Sequence, residues 1–138
     1  MNIEERFQIA EESRKRGYNC CQAVICAYSD RYDDITESQM LKFAEGFGSG
    51  MGLLSVCGAV TGMVMLAGLE NANGSTEKNT TKGVTRKVAI DLQNKFKEKN
   101  KSLICSELKG VETKKVLRSC EGCIEDAIRI VGEYLGEK

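Results

Sequence analysis

The longest apolar stretch of the chain is VCGAVTGMVMLAGL, which runs from Val56 to Leu69. Its fourteen residues would form a helix about 21 Å long, which is too short to cross a bilayer core of ~30 Å. Glycine occupies positions 58, 62 and 68, so the predicted helix has small residues on its surface. We expect Ser55 to be its N-cap. The stretch therefore favours a helix of a soluble protein.

Helical spacing of apolar residues continues on both sides of this stretch. Three amphipathic helices are marked by Ile3, Phe7 and Ala10; by Val84, Val88, Leu92 and Phe96; and by Ile124, Ile128, Val131 and Leu135. No segment alternates with the period of two that a half-buried strand shows, and the chain has no proline to interrupt a helix. A length of 138 residues fits one domain. The predicted fold is all-α, a single-domain helical bundle over residues 1–138, with a glycine-rich loop before the small-residue helix.

Capping signals mark where three helices begin. Asn19 with Gln22, and Thr36 with Gln39, match the capping box, in which two side chains satisfy the first free backbone N–H groups. Ser119 is the expected N-cap of the last helix. The second and third helices are therefore predicted to start directly after Asn19 and Thr36.

The composition excludes several familiar classes of site. Seven cysteines and no histidine are present, which rules out Ser-His-Asp and Cys-His catalysis, His-ligated haem and His-containing zinc sites. Twenty basic and twenty acidic side chains cancel, which argues against a nucleic-acid binder. The segment Met1–Arg6 lacks the features of a signal peptide, and no apolar segment is long enough for a membrane span. We therefore expect a cytoplasmic protein whose thiols stay reduced.

Four of the seven cysteines share a local feature. Each follows a good N-cap residue within three positions, which places it in the first turn of a predicted helix: Cys20, Cys57, Cys105 and Cys120. The free N–H groups and the positive end of the helix dipole favour a thiolate there and lower the cysteine pKa. The alternative is a small buried hydrophobic residue, which is an equally good interpretation of Cys26.

The sequence CEGC, from Cys120 to Cys123, is a CxxC motif. On a helix it brings both sulfurs to one face, as a dithiol or as two metal ligands. The βαβ context of a thioredoxin and the second motif of a zinc ribbon are both missing. If the sulfurs approach only in pairs, thiol–disulfide exchange is the better interpretation, with Cys123 as a resolving thiol. The pairs to test first are Cys57 with Cys20, and Cys120 with Cys123.

The loop GFGSGMG, from Gly46 to Gly52, precedes the apolar helix. It matches neither GxGxxG nor a P-loop, and no strand precedes it, so nucleotide binding is disfavoured. A hinge and close-packing element is the simplest interpretation. Its exposed N–H groups could instead form a nest that holds anions, including thiolates and cluster sulfides.

The segment CGAVTG, from Cys57 to Gly62, resembles the CGAxxG motif of the C_GCAxxG_C_C family of redox-active proteins. Asn19–Val24 resembles the family's NCxQxV start, and Cys105–Gly110 resembles its C-x-x-L-x-G segment. Cys120 matches the last family cysteine by its distance from the closing amphipathic helix. The resemblance covers nearly the whole chain, and three cysteines are additions to its pattern: Cys21, Cys26 and Cys123.

The resemblance implies a small redox protein that uses the four family cysteines in electron transfer, as metal or iron–sulfur ligands or as redox-active thiols. Four thiolates suit iron–sulfur clusters and also structural zinc. Glycine amides and small residues near the cysteines would contact an inorganic core: Gly48, Gly50, Gly58, Ala59 and Gly62. The alternatives are a thiol–disulfide oxidoreductase and a zinc-binding structural or interaction module without redox activity.

Three features favour a redox centre over zinc. One is the set of glycine N–H groups and small residues, such as Gly58, Ala59 and Gly62, that allow close approach to an inorganic core. A chain of this length folds without a metal staple, and the four ligands come from separate segments rather than from paired knuckles. No substrate pocket is evident, so the sequence leaves open whether the protein is an enzyme. We expect an unidentified redox partner protein and neither nucleic acid nor membrane as partners. The methionine-bearing stretch Met51–Met65 could also pack against a second copy as a homodimer.

Overall fold

The computed structural model describes all residues from Met1 to Lys138 and contains seven α-helices and no β-sheet. They are α1 (Ile3–Lys15), α2 (Cys20–Cys26), α3 (Glu37–Ala44), α4 (Gly58–Asn71), α5 (Lys82–Asn100), α6 (Cys105–Lys109) and α7 (Cys120–Tyr134). Short helical turns at Ser29–Arg31, Glu45–Phe47 and Gly50–Leu54 lie in the connections. The all-α prediction is confirmed. None of the helices combines the length and the apolar composition that a membrane span needs.

Helices α2 and α4 pack against each other at the centre of the bundle. Helices α1, α3 and α7 contact α2 from outside, and α5 and α7 contact α4. Close packing of the central pair depends on small residues, because a Cβ at Gly62 would lie 3.0 Å from the Cβ of Val24. The apolar stretch Val56–Leu69 therefore forms, in α4, one of the two helices around which the others are arranged.

The amphipathic helices bury the predicted stripes. Leu92 and Phe96 of α5 and Ile128 of α7 are completely buried in the common core. Three apolar residues of the predicted helices lie outside it: Val84, in the first turn of α5, is 55% exposed, Ile90 of α5 is 50% exposed, and Phe43 of α3 is 68% exposed.

The caps of α2, α3 and α7 form as predicted. Both capping boxes are present, and the Ser119 hydroxyl accepts a hydrogen bond from the Gly122 N–H at 3.0 Å. The prediction that Ser55 caps α4 is wrong, since Cys57 occupies the N-cap position. Ser55 is used differently: its carbonyl accepts a hydrogen bond from the Cys105 N–H at 2.6 Å.

Ser102, the good N-cap residue that precedes Cys105 by three positions, does not occupy the N-cap position of α6. Ile104 occupies that position, while the Ser102 hydroxyl accepts a hydrogen bond from the Ile104 N–H at 2.9 Å and donates one to Glu107 at 2.5 Å. Cys105 is still the first residue of a helix, as are Cys20 and Cys120. Cys57 lies one position before its helix rather than in its first turn.

Candidate functional site: a cavity lined by five cysteines

Five of the seven cysteines line one cavity of about 120 Å³. Four of them stand at the beginnings of four different helices, and the fifth lies one turn into α7; in chain order they are Cys20, Cys57, Cys105, Cys120 and Cys123. All four predicted site cysteines therefore reach the same cavity. The fifth is the residue that the sequence suggested as a resolving thiol.

Backbone pairing brings these helix beginnings together. The Cys57 N–H donates a hydrogen bond to the Leu103 carbonyl at 2.8 Å, which places the start of α4 beside the segment that leads into α6. The Leu117 N–H donates to the Leu108 carbonyl at 2.9 Å, which holds the segment before α7 against α6. The packing of α2 on α4 adds Cys20 to the group.

Two glycines form part of the cavity wall. Gly50 has φ +58°, and a Cβ there would lie 2.9 Å from the Cβ of Cys105 and 2.4 Å from the Ser55 nitrogen. A Cβ at Gly58 would lie 3.0 Å from the Phe47 carbonyl oxygen and 3.2 Å from the Cβ of Cys20. Glycine at these two positions lets the backbone reach the cavity closely.

The other small residues predicted to contact a cofactor lie elsewhere. Gly48 packs against the side chain of Asn19, and Gly62 packs against Val24. Ala59 is completely buried in the core. Its backbone N–H still acts on the site, because it contributes to lowering the pKa of the Cys57 thiol.

Three cations line the cavity, and sequence reasoning missed them. Arg14 acts on Cys20, and Lys109 acts on both Cys57 and Cys105; in each case the positive charge lowers the thiol pKa. The one available signal was the position of Lys109, which lies one helical turn after Cys105.

The third cation, Arg118, is held in place by a buried carboxylate. Its Nε donates a hydrogen bond to Asp126 Oδ2 at 3.0 Å, and Asp126 is only 3% exposed. The same carboxylate accepts hydrogen bonds from Lys99 and Asn100. These contacts lower the pKa of Asp126 against the opposing effect of burial, so the carboxyl is ionised and fixes the Arg118 side chain.

The thiols of the cavity differ in acidity. Burial raises the pKa of Cys20 to about 12 and also raises that of Cys105, so the prediction of lowered pKa values is wrong for these two residues. Cys57 is the exception, because a hydrogen bond from Cys123 lowers its pKa, and the N–H groups of Ala59 and Val60 add to the effect. The main cause is a second thiol rather than the helix start on which the prediction was based. Cys123 keeps its proton, since donating it to Cys57 and being buried both raise its pKa.

The two remaining cysteines lie in the protein core. The Cys21 sulfur is 3.6 Å from the sulfur of Met65, in the contact between α2 and α4. Cys26 is buried at the end of α2, and burial raises its pKa to about 12. Both therefore match the description of an inert buried cysteine.

The chemistry of the cavity fits a soft inorganic group. Its potential ligands are thiols, and no aspartate or glutamate lines it. The structure contains no group of three cysteine, aspartate or glutamate side chains that could bind a single metal ion. The volume of about 120 Å³ is well above the roughly 10–15 Å³ that one water molecule requires, so a group of several atoms can be accommodated. Thiolate ligands, glycine walls and neighbouring cations together suit an iron–sulfur cluster.

Comparison with known proteins identifies one family. The family model described as "Putative redox-active protein (C_GCAxxG_C_C)" matches residues 18–134, a range that includes all five cavity cysteines. No curated protein and no solved structure matches the chain.

Proposed function

The chain belongs to the C_GCAxxG_C_C family of redox-active proteins, and on this premise we propose that it transfers electrons through an iron–sulfur cluster in the cysteine-lined cavity. The proposed ligands are Cys20, Cys57, Cys105 and Cys120. The main support is the meeting of four helix beginnings, each with a cysteine, at one cavity. Once bound, such a cluster supplies reversible electron transfer.

The protein's own residues would tune this centre. Four thiolates bring negative charge into a partly buried site, and Arg14 and Lys109 offset it. The N–H groups of Ala59 and Val60 lower the pKa of the Cys57 thiol, and hydrogen bonds to ligating sulfurs raise a reduction potential. Gly50 and Gly58 leave space beside the ligands that any larger residue would fill.

Purification without oxygen, followed by analysis of iron and acid-labile sulfide, tests the proposal. We expect both elements in the native protein, and at least a severalfold loss when any one of the four ligands is changed to serine. Cys26→Ala is the matched control, because it removes a cysteine outside the cavity and should keep the iron. An iron-free native protein, or four serine variants with native iron content, would contradict the proposal. Stoichiometric zinc without redox activity would instead support a structural module.

A second candidate function is favoured by the contact between Cys57 and Cys123. A thiolate that accepts a hydrogen bond from a second thiol is arranged for thiol–disulfide exchange. The Cys57 thiolate would attack a partner disulfide and release one partner thiolate. The Cys123 thiol would then give its proton to the released partner thiolate and attack the Cys57 sulfur of the mixed disulfide. This displaces the second partner sulfur and leaves a Cys57–Cys123 disulfide and a reduced partner dithiol. This pairing differs from both pairs predicted from the sequence.

Cys123 distinguishes the two candidates. Under the cluster proposal, Cys123→Ser keeps the iron, because Cys123 is not one of the four ligands. Under the dithiol proposal, the same variant loses the two-electron couple, which mass spectrometry detects as the absence of a Cys57–Cys123 disulfide after mild oxidation.

A further inference from the structure

Two exposed segments flank the cavity, and we call residues 49–54 and 109–118 the rim segments. Each contributes to the cavity wall, the first through Ser49 and Gly50 and the second through Lys109 and Arg118. Both lie against α6, the helix that begins with Cys105. A protein that binds to the rim segments would therefore sit directly beside the proposed redox centre.

The rim segments expose apolar side chains to solvent. Leu53 is 86% exposed and Val116 is 63% exposed. Three further apolar residues of the rim segments are exposed as well: Met51, Val111 and Leu117. Exposed apolar residues in two segments that border the same cavity are typical of a protein-interaction surface.

The same surface is positively charged. Residues 109–118 include four basic side chains and one acidic one, whereas residues 49–54 include no charged side chain. Arg118 is paired with Asp126, but no ion pair of the structure includes Lys109, Lys114 or Lys115. Since the whole chain is neutral, the remaining surface has a net negative charge. The resulting dipole would orient an approaching acidic partner toward the cavity.

We propose that the rim segments are the docking site of an acidic redox carrier protein that presents carboxylates around an apolar patch. This inference rests on the proposed electron-transfer function. A second copy fits the surface less well, because a symmetric dimer through the rim segments would bring two positively charged surfaces together. Transient redox complexes are small, so five exposed apolar residues with a charged border are a sufficient surface.

Nuclear magnetic resonance titration tests docking independently of the redox centre. The probe is an acidic ferredoxin, and a basic cytochrome c is the opposite-charge control. We expect the ferredoxin to shift amide signals of the rim segments at low salt, and the shifts to weaken as salt rises. The cytochrome should leave those signals in place. Shifts elsewhere on the surface, or none, would overturn the proposal, as would a dimer in light scattering that buries the rim segments.

Charge reversal provides the matched comparison. Lys114→Glu with Lys115→Glu changes two exposed rim residues, and Lys78→Glu with Lys82→Glu makes the same change at two exposed residues near the opposite end of α4. We expect the rim variant to bind the ferredoxin at least tenfold more weakly and the control to bind as the native protein does. Equal weakening in both variants would overturn the proposal.

Iron analysis of the same samples distinguishes a failure of the docking proposal from a failure of the proposed electron-transfer function. A protein that contains iron but shows no rim shifts would refute the docking proposal and leave the proposed function intact. Rim shifts in a protein without iron or a redox-active dithiol would support docking while refuting electron transfer.

Discussion

Cys57 and Cys123 show how one contact distinguishes thiols that the sequence presents as equals. Both lie in the cavity, but Cys57 accepts hydrogen bonds from Cys123 and from two backbone N–H groups, and its pKa is lowered as a result. Cys123 is the donor, and its pKa is raised. At Cys20, the position at a helix start would lower the pKa, but burial outweighs this effect and raises the pKa to about 12. Position in a helix therefore determines acidity only together with burial and a specific partner.

This difference predicts the order of alkylation in the reduced, metal-free protein. Because its pKa is lowered, Cys57 forms the thiolate at a lower pH than Cys20 and should be the first of the two to react with iodoacetamide. Cys123→Ala removes the hydrogen-bond donor, so the labelling profile of Cys57 should move to higher pH. Peptide mass spectrometry measures both profiles, with Cys26→Ala as the control. An unchanged profile in Cys123→Ala would show that the contact does not set the acidity.

Arg6 is a second residue whose role depends on distant partners. It is 1% exposed, donates hydrogen bonds to Glu137 at 2.6 Å and to Asp30 at 2.6 Å, and lies over the Tyr28 ring. These contacts connect α1 to the segment after α2 and to the C-terminal residues. Hydrogen bonds from Arg6 lower the pKa of Asp30, so the stability they contribute is present at neutral pH and is lost as acid protonates the carboxyl.

Arg6→Met should therefore destabilise the protein by about 1–3 kcal/mol, because it leaves the buried Ala27 carbonyl and the Glu137 carboxylate without their donor. The Asp30 side chain is 42% exposed, so water replaces part of its lost contact. Arg129→Met is the control, since Arg129 is exposed and lies over the Phe7 ring, a contact worth less than about 1 kcal/mol. Urea unfolding at pH 7 gives both values. Equal losses in the two variants would mean that the buried ion pairs contribute little.

At the scale of elements, the packing of α2 on α4 is the contact that positions the site. It brings Cys20 and Cys57 to one end of the central pair, and it requires small residues along α4. Gly62 lies in this contact, whereas a Cβ at Gly68 of the same helix would meet no atom within 4 Å. The two glycines therefore have different structural roles although the sequence gives no sign of it.

Gly62→Ala should cost roughly 1–3 kcal/mol, because the added methyl group would press on Val24 and separate the central helices. Gly68→Ala should gain about 0.5–1 kcal/mol, because alanine is the better helix former where space is free. Thermal unfolding of the two variants checks the opposite signs. If both substitutions stabilised the protein, the result would contradict the close contact between α2 and α4.

Local signals made several elements predictable. Asn19 and Ser119 cap their helices as expected, since a cap involves only residues three positions apart. The cap of α4 was not predictable, because Ser55 instead pairs with Cys105, fifty residues later in the chain. The contacts of Arg6, Asp126 and Cys123 were missed for the same reason: their partners are set by tertiary packing.

At the scale of the whole molecule, the fold converts four separate helix beginnings into one site. The sequence predicted each cysteine near a helix start, but it gave no direct information on whether these starts meet. Their meeting depends on the α2–α4 packing, on the backbone pairing of residues 55–57 with 103–105, and on the segment that returns from α6 to α7. The site is therefore a property of the complete bundle, and the two rim segments beside it belong to the same arrangement.

X-ray absorption at the iron edge of protein purified without oxygen shows directly whether the cavity cysteines bind iron. We expect iron surrounded by sulfur at about 2.3 Å, the usual metal–thiolate distance. In Cys105→Ser we expect a lighter ligand in place of one sulfur, or loss of the iron. Iron bound only by nitrogen or oxygen, or a spectrum unchanged in Cys105→Ser, would contradict the claim that the cysteines of the cavity hold the redox centre.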